Sequence, residues 1–280
     1  MPHHVLTPQE SKIIEHKGTE RPFSGEYNQV FEAGVYVCKR CDYPLFLSES
    51  KFDAGCGWPS FDEALEGHVT TRADGDRVEI VCSRCSAHLG HVFTGERLTH
   101  KNTRHCTNSL SLRFVGAFTG GCERAVFAGG CFWGVEHFLK NLQGVKQVVC
   151  GYIGGDVVNP TYQQVCTKKT GHLEAVELLF DPDLITYETL LKAFFEIHDF
   201  TQTNGQGPDL GAQYLSKIFI YSSKQKIAAL NVIKKLEDKG YKVATKLEYG
   251  TLFYRAEKEH QAYYSRTGQT PYCHKKTKIF

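Results

Sequence analysis

The chain has 280 residues, and its 33 basic and 31 acidic side chains leave a net charge of +2, so no nucleic-acid or polyanion partner is expected. No apolar run approaches membrane-spanning length, and the stretch Met1–Glu10 lacks the charged-then-apolar pattern of a secretory leader, so no membrane partner and a cytoplasmic location are expected. In that compartment structural disulfides are rare, and eleven cysteines then point to metal binding or redox catalysis on a chain long enough for two domains. From the N-terminus, Pro8 to Lys17 reads as one short helix. Val35–Val37, Val78–Val81 and Ser109–Phe114 read as strands between Gly, Pro, Asp and Ser clusters. Residues 1–116 are therefore expected to form a mostly antiparallel β domain.

The clearest feature of this half is a pair of knuckles, Cys38-Lys39-Arg40-Cys41 and Cys82-Ser83-Arg84-Cys85. Four thiolates suffice for a closed tetrahedral site with no open position, so a structural zinc is expected, one per chain. It would tie together two distant hairpins of one sheet. The same ligands would also take iron. A pair of thioredoxin-like redox motifs is the alternative, but neither knuckle sits in a βαβ pattern. Two cysteines remain. Cys56 lies in Gly55-Cys56-Gly57-Trp58-Pro59-Ser60-Phe61, and Cys106 in Arg104-His105-Cys106-Thr107-Asn108-Ser109. Between them stands His88-Leu89-Gly90-His91-Val92-Phe93. A cysteine with histidines elsewhere in the chain is a candidate nucleophile, although a single histidine is more often structural.

Taken in order, these three strings and the double knuckle resemble methionine sulfoxide reductase B over nearly all of this half. The resemblance implies that Cys106 is the nucleophile and Cys56 the resolving cysteine. His88, His91, Arg104 and Asn108 would surround the sulfoxide oxygen and the thiolate, and Trp58 would hold the methyl group. The aspartate usual after the second histidine in that family is missing from Phe93-Thr94-Gly95-Glu96-Arg97, and its polar role is left unassigned.

Gly116 to Gly121 reads as a short glycine-containing joint, with a linker over 117–122 and the second domain over 123–280. Here strands and helices alternate. Strands are expected over Arg124–Ala128, Val145–Tyr152, Glu174–Phe180, Leu215–Tyr221 and Lys242–Glu248. Helices are expected over Cys131–Leu142, Thr186–His198 and Ser223–Lys239, the last with Ile227, Leu230, Ile233 and Leu236 at helical spacing. The first strand runs into Gly129-Gly130-Cys131-Phe132-Trp133-Gly134, which places Cys131 at a helix N-terminus. Unpaired amides there favour a thiolate, and Phe132 and Trp133 would set an apolar wall beside it. A buried structural cysteine is the other reading.

Gly-Cys-Phe-Trp-Gly resembles the active-site string of methionine sulfoxide reductase A. That resemblance implies an α/β sandwich of the ferredoxin-like kind. It also implies that Glu174 is the active-site acid, Tyr162 and Tyr214 its two tyrosines, and Asp209 the carboxylate of Gly207-Pro208-Asp209-Leu210-Gly211. A histidine often follows that aspartate in the family; here Leu210 stands instead. Of the remaining Cys122, Cys150, Cys166 and Cys273, Cys273 is the expected resolving thiol, because the family often resolves from this Tyr-Cys position, with Cys166 or Cys122 as the alternatives; it lies in a C-terminal segment of little regular pattern. It is expected to be mobile, with His274, Lys275 and Lys276 helping the thiol to ionise.

Methionine sulfoxide is chiral at sulfur, and one reductase serves each epimer. The double resemblance implies S-epimer reduction in the second domain and R-epimer reduction in the first, on free or protein-bound methionine sulfoxide. Each cysteine would become a sulfenic acid and then a disulfide, recycled by an external dithiol such as thioredoxin with no organic cofactor. Glu174 in the second domain and His91 in the first are the expected proton donors. A zinc-dependent binding module fused to a redox sensor, or a thiol peroxidase, would be the rival classes. The first predicts exposed basic or aromatic patches around the knuckles, and the second peroxide consumption without sulfoxide.

Overall fold

The computed structural model describes residues 3–280; Met1 and Pro2, the start of the stretch read for a leader, lie outside the described residues. The chain divides into two compact units, one ending at Gly116 and the other beginning at Ala117. No helix among the described residues is long and apolar enough to cross a membrane.

The first unit opens on helix α1 (Pro8–Ile14). Thr7 caps it and Glu10 reaches back to the Thr7 amide, a capping box with proline in the first turn. The helix ends at Ile14, three residues before the expected Lys17. Strands β1 (Gly34–Cys38), β2 (Pro44–Leu47), β3 (Lys51–Phe52), β4 (Ser60–Phe61), β5 (Val69–Asp74), β6 (Arg77–Cys82), β7 (His88–Thr94), β8 (Thr103–Thr107) and β9 (Leu112–Gly116) follow. They form two antiparallel sheets, β2-β1-β9 and β3-β4-β8-β7-β6-β5. A core of Tyr36, Leu45, Phe46, Phe61, Ile80, Leu89 and Leu112 is withdrawn from solvent. The expected strand over Ser109–Phe114 begins only at Leu112. Ser109–Ser111 form a 3₁₀ turn instead. The Ser111 hydroxyl donates to the His88 carbonyl and the Ser109 hydroxyl accepts from the Tyr27 amide, so both side chains bond distant backbone at the turn.

Gly90 sits where β7 passes closest to β8. Its φ is +152°, and a Cβ there would lie 2.0 Å from the Cys106 carbonyl oxygen. Gly90→Ala is expected to destabilise the first unit by at least about 1–3 kcal/mol, the usual cost of a backbone held in such a region. Denaturant unfolding should show the first unit's midpoint falling and the second unit's unmoved. An unchanged pair of midpoints would mean that the strand yields freely.

The second unit begins with a hairpin rather than a joint. β10 (Phe118–Thr119) pairs with the start of β11 (Cys122–Gly129), and Gly120 and Gly121 make the two-residue turn at φ +56° and +80°. Then come α2 (Phe132–Leu139), β12 (Val145–Ile153), α3 (Tyr162–Cys166), β13 (Leu173–Phe180), α4 (Tyr187–Ile197), the short β14 (Gly205–Gln206) and β15 (Asp209–Leu210), β16 (Ser216–Ile220), α5 (Ser223–Asp238), β17 (Lys246–Tyr249), β18 (Tyr254–Arg255) and α6 (Tyr263–Thr267). The central strands run β16-β11-β13-β12, all antiparallel, which is the ferredoxin-like order for a β-α-β-β-α-β chain. β17 adds in parallel beside β16 and β18 beside β12. α2 packs on β12 and β13, α4 on β11 and α5 on β16, with α4 against both other helices.

α5 turns inward only part of the set its spacing suggests. Leu236 is buried and Ile233 packs against the core, but Ile227 and Leu230 are exposed, at 60 % and 48 %, and Gln225, Ala229 and Val232 complete the buried face. The small Ala229 lets the helix approach closely, and the Gln225 amide satisfies Glu123 and the Arg124 carbonyl. A polar residue with buried partners belongs inside even where hydropathy places it outside.

Candidate active sites

In the first unit each knuckle closes the same way. The amide of Asp42 donates to the Cys38 carbonyl and that of Cys38 to Tyr43. Ser86, Cys82 and Ala87 repeat both bonds. Asp42 and Ser86 take the left-handed conformation that the turn requires, at φ +57° and +60°. The two turns bring Cys38, Cys41, Cys82 and Cys85 together with their sulfurs all within 4.8 Å of one another, an arrangement able to hold a metal ion. The expectation that the site ties hairpins of one sheet is corrected: β1 and β2 belong to the three-stranded sheet, β6 and β7 to the six-stranded one. The cluster joins the two sheets at the turn ends of these hairpins, and their buried faces share one core.

Pairing across the six-stranded sheet assembles a second cluster. Cys106 on β8 stands opposite Ser60 of β4 and His91 of β7, and His91 opposite Glu79 of β6. Opposed residues of an antiparallel pair share a face. A cavity of about 120 Å³ opens there, lined by Trp58, Arg77, His91, Phe93, Cys106 and Asn108 among others. The Cys56 sulfur lies 3.5 Å from the Ser60 hydroxyl and 3.5 Å from the Arg104 Nη1. The Cys56 and Cys106 thiols interact. This interaction first, and Arg104 among smaller causes, lowers Cys56 to about 5; the same interaction and then burial push Cys106 up. The pair therefore gives up one proton readily and holds the other.

The remaining polar groups are positioned by partners that the sequence did not single out. His91 Nε2 donates to the Asp74 Oδ2 at 2.8 Å, leaving Nδ1 as the other ring nitrogen. His88 Nδ1 is held by Glu79 at 2.8 Å, Glu79 by Lys17, and His88 Nε2 is buried without a protein partner. Arg104 is gripped by both carboxylate oxygens of Glu96, at 2.7 and 2.8 Å. An acid does stand in the loop after the second histidine, and it addresses the arginine. Asn108 spends its amide on the backbone, accepting from the Glu20 amide and donating to the Leu89 carbonyl. The Glu20 carbonyl accepts from Trp58 Nε1, so one segment aligns both side chains.

In the second unit Cys131 is the N-cap residue of α2 and is 5 % exposed. Glu174 on β13 accepts from the Phe132 amide at 3.2 Å. Burial raises its carboxyl to about 8, so the site holds a proton at neutral pH. Tyr162 and Tyr214 are pushed up, first by burial and then by the charge of Glu174. Tyr152, opposite Glu174 in the sheet, donates to Glu257 Oε2, and Glu257 Oε1 takes the Tyr162 amide, so one carboxylate sets two tyrosines. Asp209 accepts from the Tyr272 hydroxyl, 3.1 Å from each oxygen. Leu210 is 53 % exposed. Phe132 is buried against Tyr152 and Tyr162, and Trp133 stacks on Tyr263 at 3.7 Å.

The C-terminal segment is not the loose tail expected of it. Cys273 and His274 are 7 % and 5 % exposed. The chain beyond them is tied to α4, the Thr277 amide to the Glu196 carbonyl and those of Ile279 and Phe280 to the Glu196 carboxylate. The Cys131 and Cys273 thiols interact, which first among several causes lowers Cys273 to about 6 and raises Cys131. Of the three basic neighbours only His274 faces the thiol; Lys275 and Lys276 point to solvent. Burying the tail exchanges its mobility for contacts in the groove beside the GCFWG turn.

The profile of the peptide methionine sulfoxide reductase family matches residues 123–280. The chain belongs to the peptide methionine sulfoxide reductase family. The SelR domain, the reductase B type, matches residues 6–116. The chain thus joins both kinds of methionine sulfoxide reductase and serves both epimers of the sulfoxide. A peptide methionine sulfoxide reductase MsrA of Methanosarcina mazei is 43% identical over 178 residues, covering 62% of this chain and 84% of the relative. One of Thermus thermophilus is 49% identical over 152 residues, covering 54% and 86%. Among solved structures, reduced Mxr1 of Saccharomyces cerevisiae is similar with a TM-score of 0.53 at 32% identity, over 56% of this chain and 91% of that one. The methionine sulfoxide reductase A of Corynebacterium diphtheriae gives 0.50 at 32%, over 55% and 79%.

Proposed function

We propose that the second unit of this reductase reduces the S epimer through Cys131 and Cys273, and the first unit the R epimer through Cys106 and Cys56. The observation that carries this reading is one pair of interacting thiols in each unit, beside a group able to supply a proton. A thiolate attacks the sulfoxide sulfur, the oxygen is protonated and passes to the cysteine as a sulfenic acid, and methionine leaves. The neighbouring thiol then displaces water and closes a disulfide. Cys106 and Cys131 are the attacking thiols and Cys56 and Cys273 the resolving ones. In the first unit His91, held through Nε2 by Asp74, presents Nδ1 for the oxygen. Arg104 favours the anionic form of the thiol pair, His88 and Asn108 hold the cavity wall, and Trp58 takes the methyl. In the second unit Glu174 is the acid, Tyr162 and Tyr214 hold the oxygen, Asp209 positions Tyr272, and Phe132 and Trp133 form the apolar wall.

The four-cysteine cluster is assigned to a structural zinc. The Cys38–Cys85 and Cys41–Cys82 sulfur separations of 3.6 and 3.7 Å match the about 3.8 Å between sulfurs that are each about 2.3 Å from a tetrahedral zinc. The substrates are oxidised proteins or free methionine sulfoxide, and thioredoxin is the proposed reductant of both disulfides. Eleven free cysteines suit the reducing cytoplasm.

Glu174→Gln tests the assignment of the acid. It keeps the size and loses the proton, so single-turnover reduction of the S epimer should slow by roughly 10²–10⁴-fold. In the wild type the rate should fall as pH rises through about 8, because the carboxyl then loses the proton it must donate. The glutamine variant should lack that limb. Equal rates and equal pH profiles would remove Glu174 from the chemistry.

A further inference from the structure

We propose that His274 is the proton-transfer residue of the resolving step in the second unit, taking the proton from the Cys273 thiol and returning it to the hydroxide that leaves Cys131. The inference rests on the reading of Cys131 as the attacking thiol and Cys273 as its partner.

Two observations point to it. The first is the hydrogen bonding of the ring. His274 Nε2 is 2.7 Å from the Gly129 carbonyl oxygen, and Nδ1 is 3.0 Å from the Cys273 sulfur. A carbonyl oxygen only accepts, so Nε2 carries a hydrogen. In the neutral ring Nδ1 is then the free base, and it is aimed at the thiol. The second is the space the ring occupies. A Cβ at Gly134 would lie 2.1 Å from His274 Nδ1, and one at Gly130 3.4 Å from Cε1. Two glycines that flank Cys131 are thus the cradle of this imidazole, which seats the resolving thiol beside the attacking one. Burial of the ring at 5 % exposure keeps bulk water from doing the same work.

The step balances. Cys131 carries –S–OH after methionine has left. The Cys273 S–H bond breaks, its proton passing to Nδ1, and the thiolate forms a bond to the Cys131 sulfur. The S–O bond breaks, and the departing hydroxide takes the proton back from Nδ1 as water. Cys131 sulfur is reduced from the sulfenic to the disulfide level as Cys273 sulfur is oxidised to it. The charged and titratable groups around the pair are Glu174 and Asp209, which disfavour the Cys273 thiolate or its partner, the phenols of Tyr214, Tyr264 and Tyr272, and His198 at the end of α4, which feels the charge of His274. The imidazolium is the counter-charge in direct contact with the thiolate.

The experiment follows one turnover of the full-length protein with S methionine sulfoxide and no reductant, counting methionine formed and thiols lost. His274→Gln keeps a donor for the Gly129 carbonyl and has no base. It is expected to release one methionine per chain at that site, while disulfide closure slows by roughly 10²–10⁴-fold and the sulfenic acid becomes trappable by a carbon acid such as dimedone. The Cys131 thiol that chiefly lowers Cys273 in the reduced pair is gone once Cys131 is a sulfenic acid, so closure in this variant should rise with pH as Cys273 ionises unaided, where the wild type is level near neutrality. Closure at the wild-type rate and with the wild-type pH profile would overturn the proposal. Should the glutamine variant release no methionine, His274→Gly decides. Closure restored in proportion to added imidazole supports the proposal, and closure that imidazole leaves unmoved overturns it. Failure of the wild type itself to release methionine, or release by Cys131→Ser, would instead refute the underlying assignment of the thiols.

Discussion

Cys131→Ser is expected to abolish reduction of the S epimer and leave the R epimer untouched, and Cys106→Ser to do the reverse. Each thiol is served by groups of its own unit. Cys106 has His91, Arg104 and Cys56 on strands and loops of the first, and Cys131 has Glu174, the tyrosines and Cys273 in the second. A hydroxyl at neutral pH is far less ionised than a thiol, and deletion of a protein nucleophile can cost on the order of 10⁶-fold. The separated diastereomers, assayed with dithiothreitol as reductant, read both activities on one preparation. Loss of both in either variant would defeat the assignment of one epimer to each unit.

Removal of the metal is expected to unfold the first unit alone. Structural zinc sites contribute about 10–16 kcal/mol of apparent free energy at neutral pH. A whole domain is stable by only about 5–15 kcal/mol. The cluster also joins the two sheets of this unit, so its loss leaves four buried or half-buried thiols where a cross-link stood. With a strong chelator, or in Cys82→Ser, the R activity should disappear and one of two calorimetric transitions should vanish. The S activity and the other transition should persist, since the cluster draws no ligand from beyond Gly116. Metal analysis finding much less than one zinc per chain, or an R activity indifferent to chelation, would contradict the zinc assignment.

Cys273, the thiol proposed to resolve Cys131, shows how local pattern can mislead. Thr267 to Lys276 has no helical or strand period, and such a segment at a chain end reads as mobile. It is ordered by contacts far away in sequence: His274 against Gly129 and Gly134, and Glu196 against the last amides. The inward face of α5 departs in part from its apolar spacing for a related reason, since Gln225 finds its partners about a hundred residues earlier, in β11.

By itself the sequence determined the two unlike halves, the four knuckle cysteines, and the candidate thiols Cys56, Cys106, Cys131 and Cys273. Those features live in short strings whose residue types carry the chemistry: two cysteines at turn spacing, and a cysteine at a strand–helix junction among glycines. Only the tertiary structure decided that the knuckles bridge two sheets, that Asp74, Glu79 and Glu96 hold the histidines and the arginine, and that Glu257 sets two tyrosines. It also brought His274 onto the resolving thiol, within a cradle of glycines some 140 residues earlier in the chain. A carboxylate's choice of partner depends on strand register and loop closure, and a buried side chain's charge on what is packed around it. Neither is written in the residues that stand next to it in the chain.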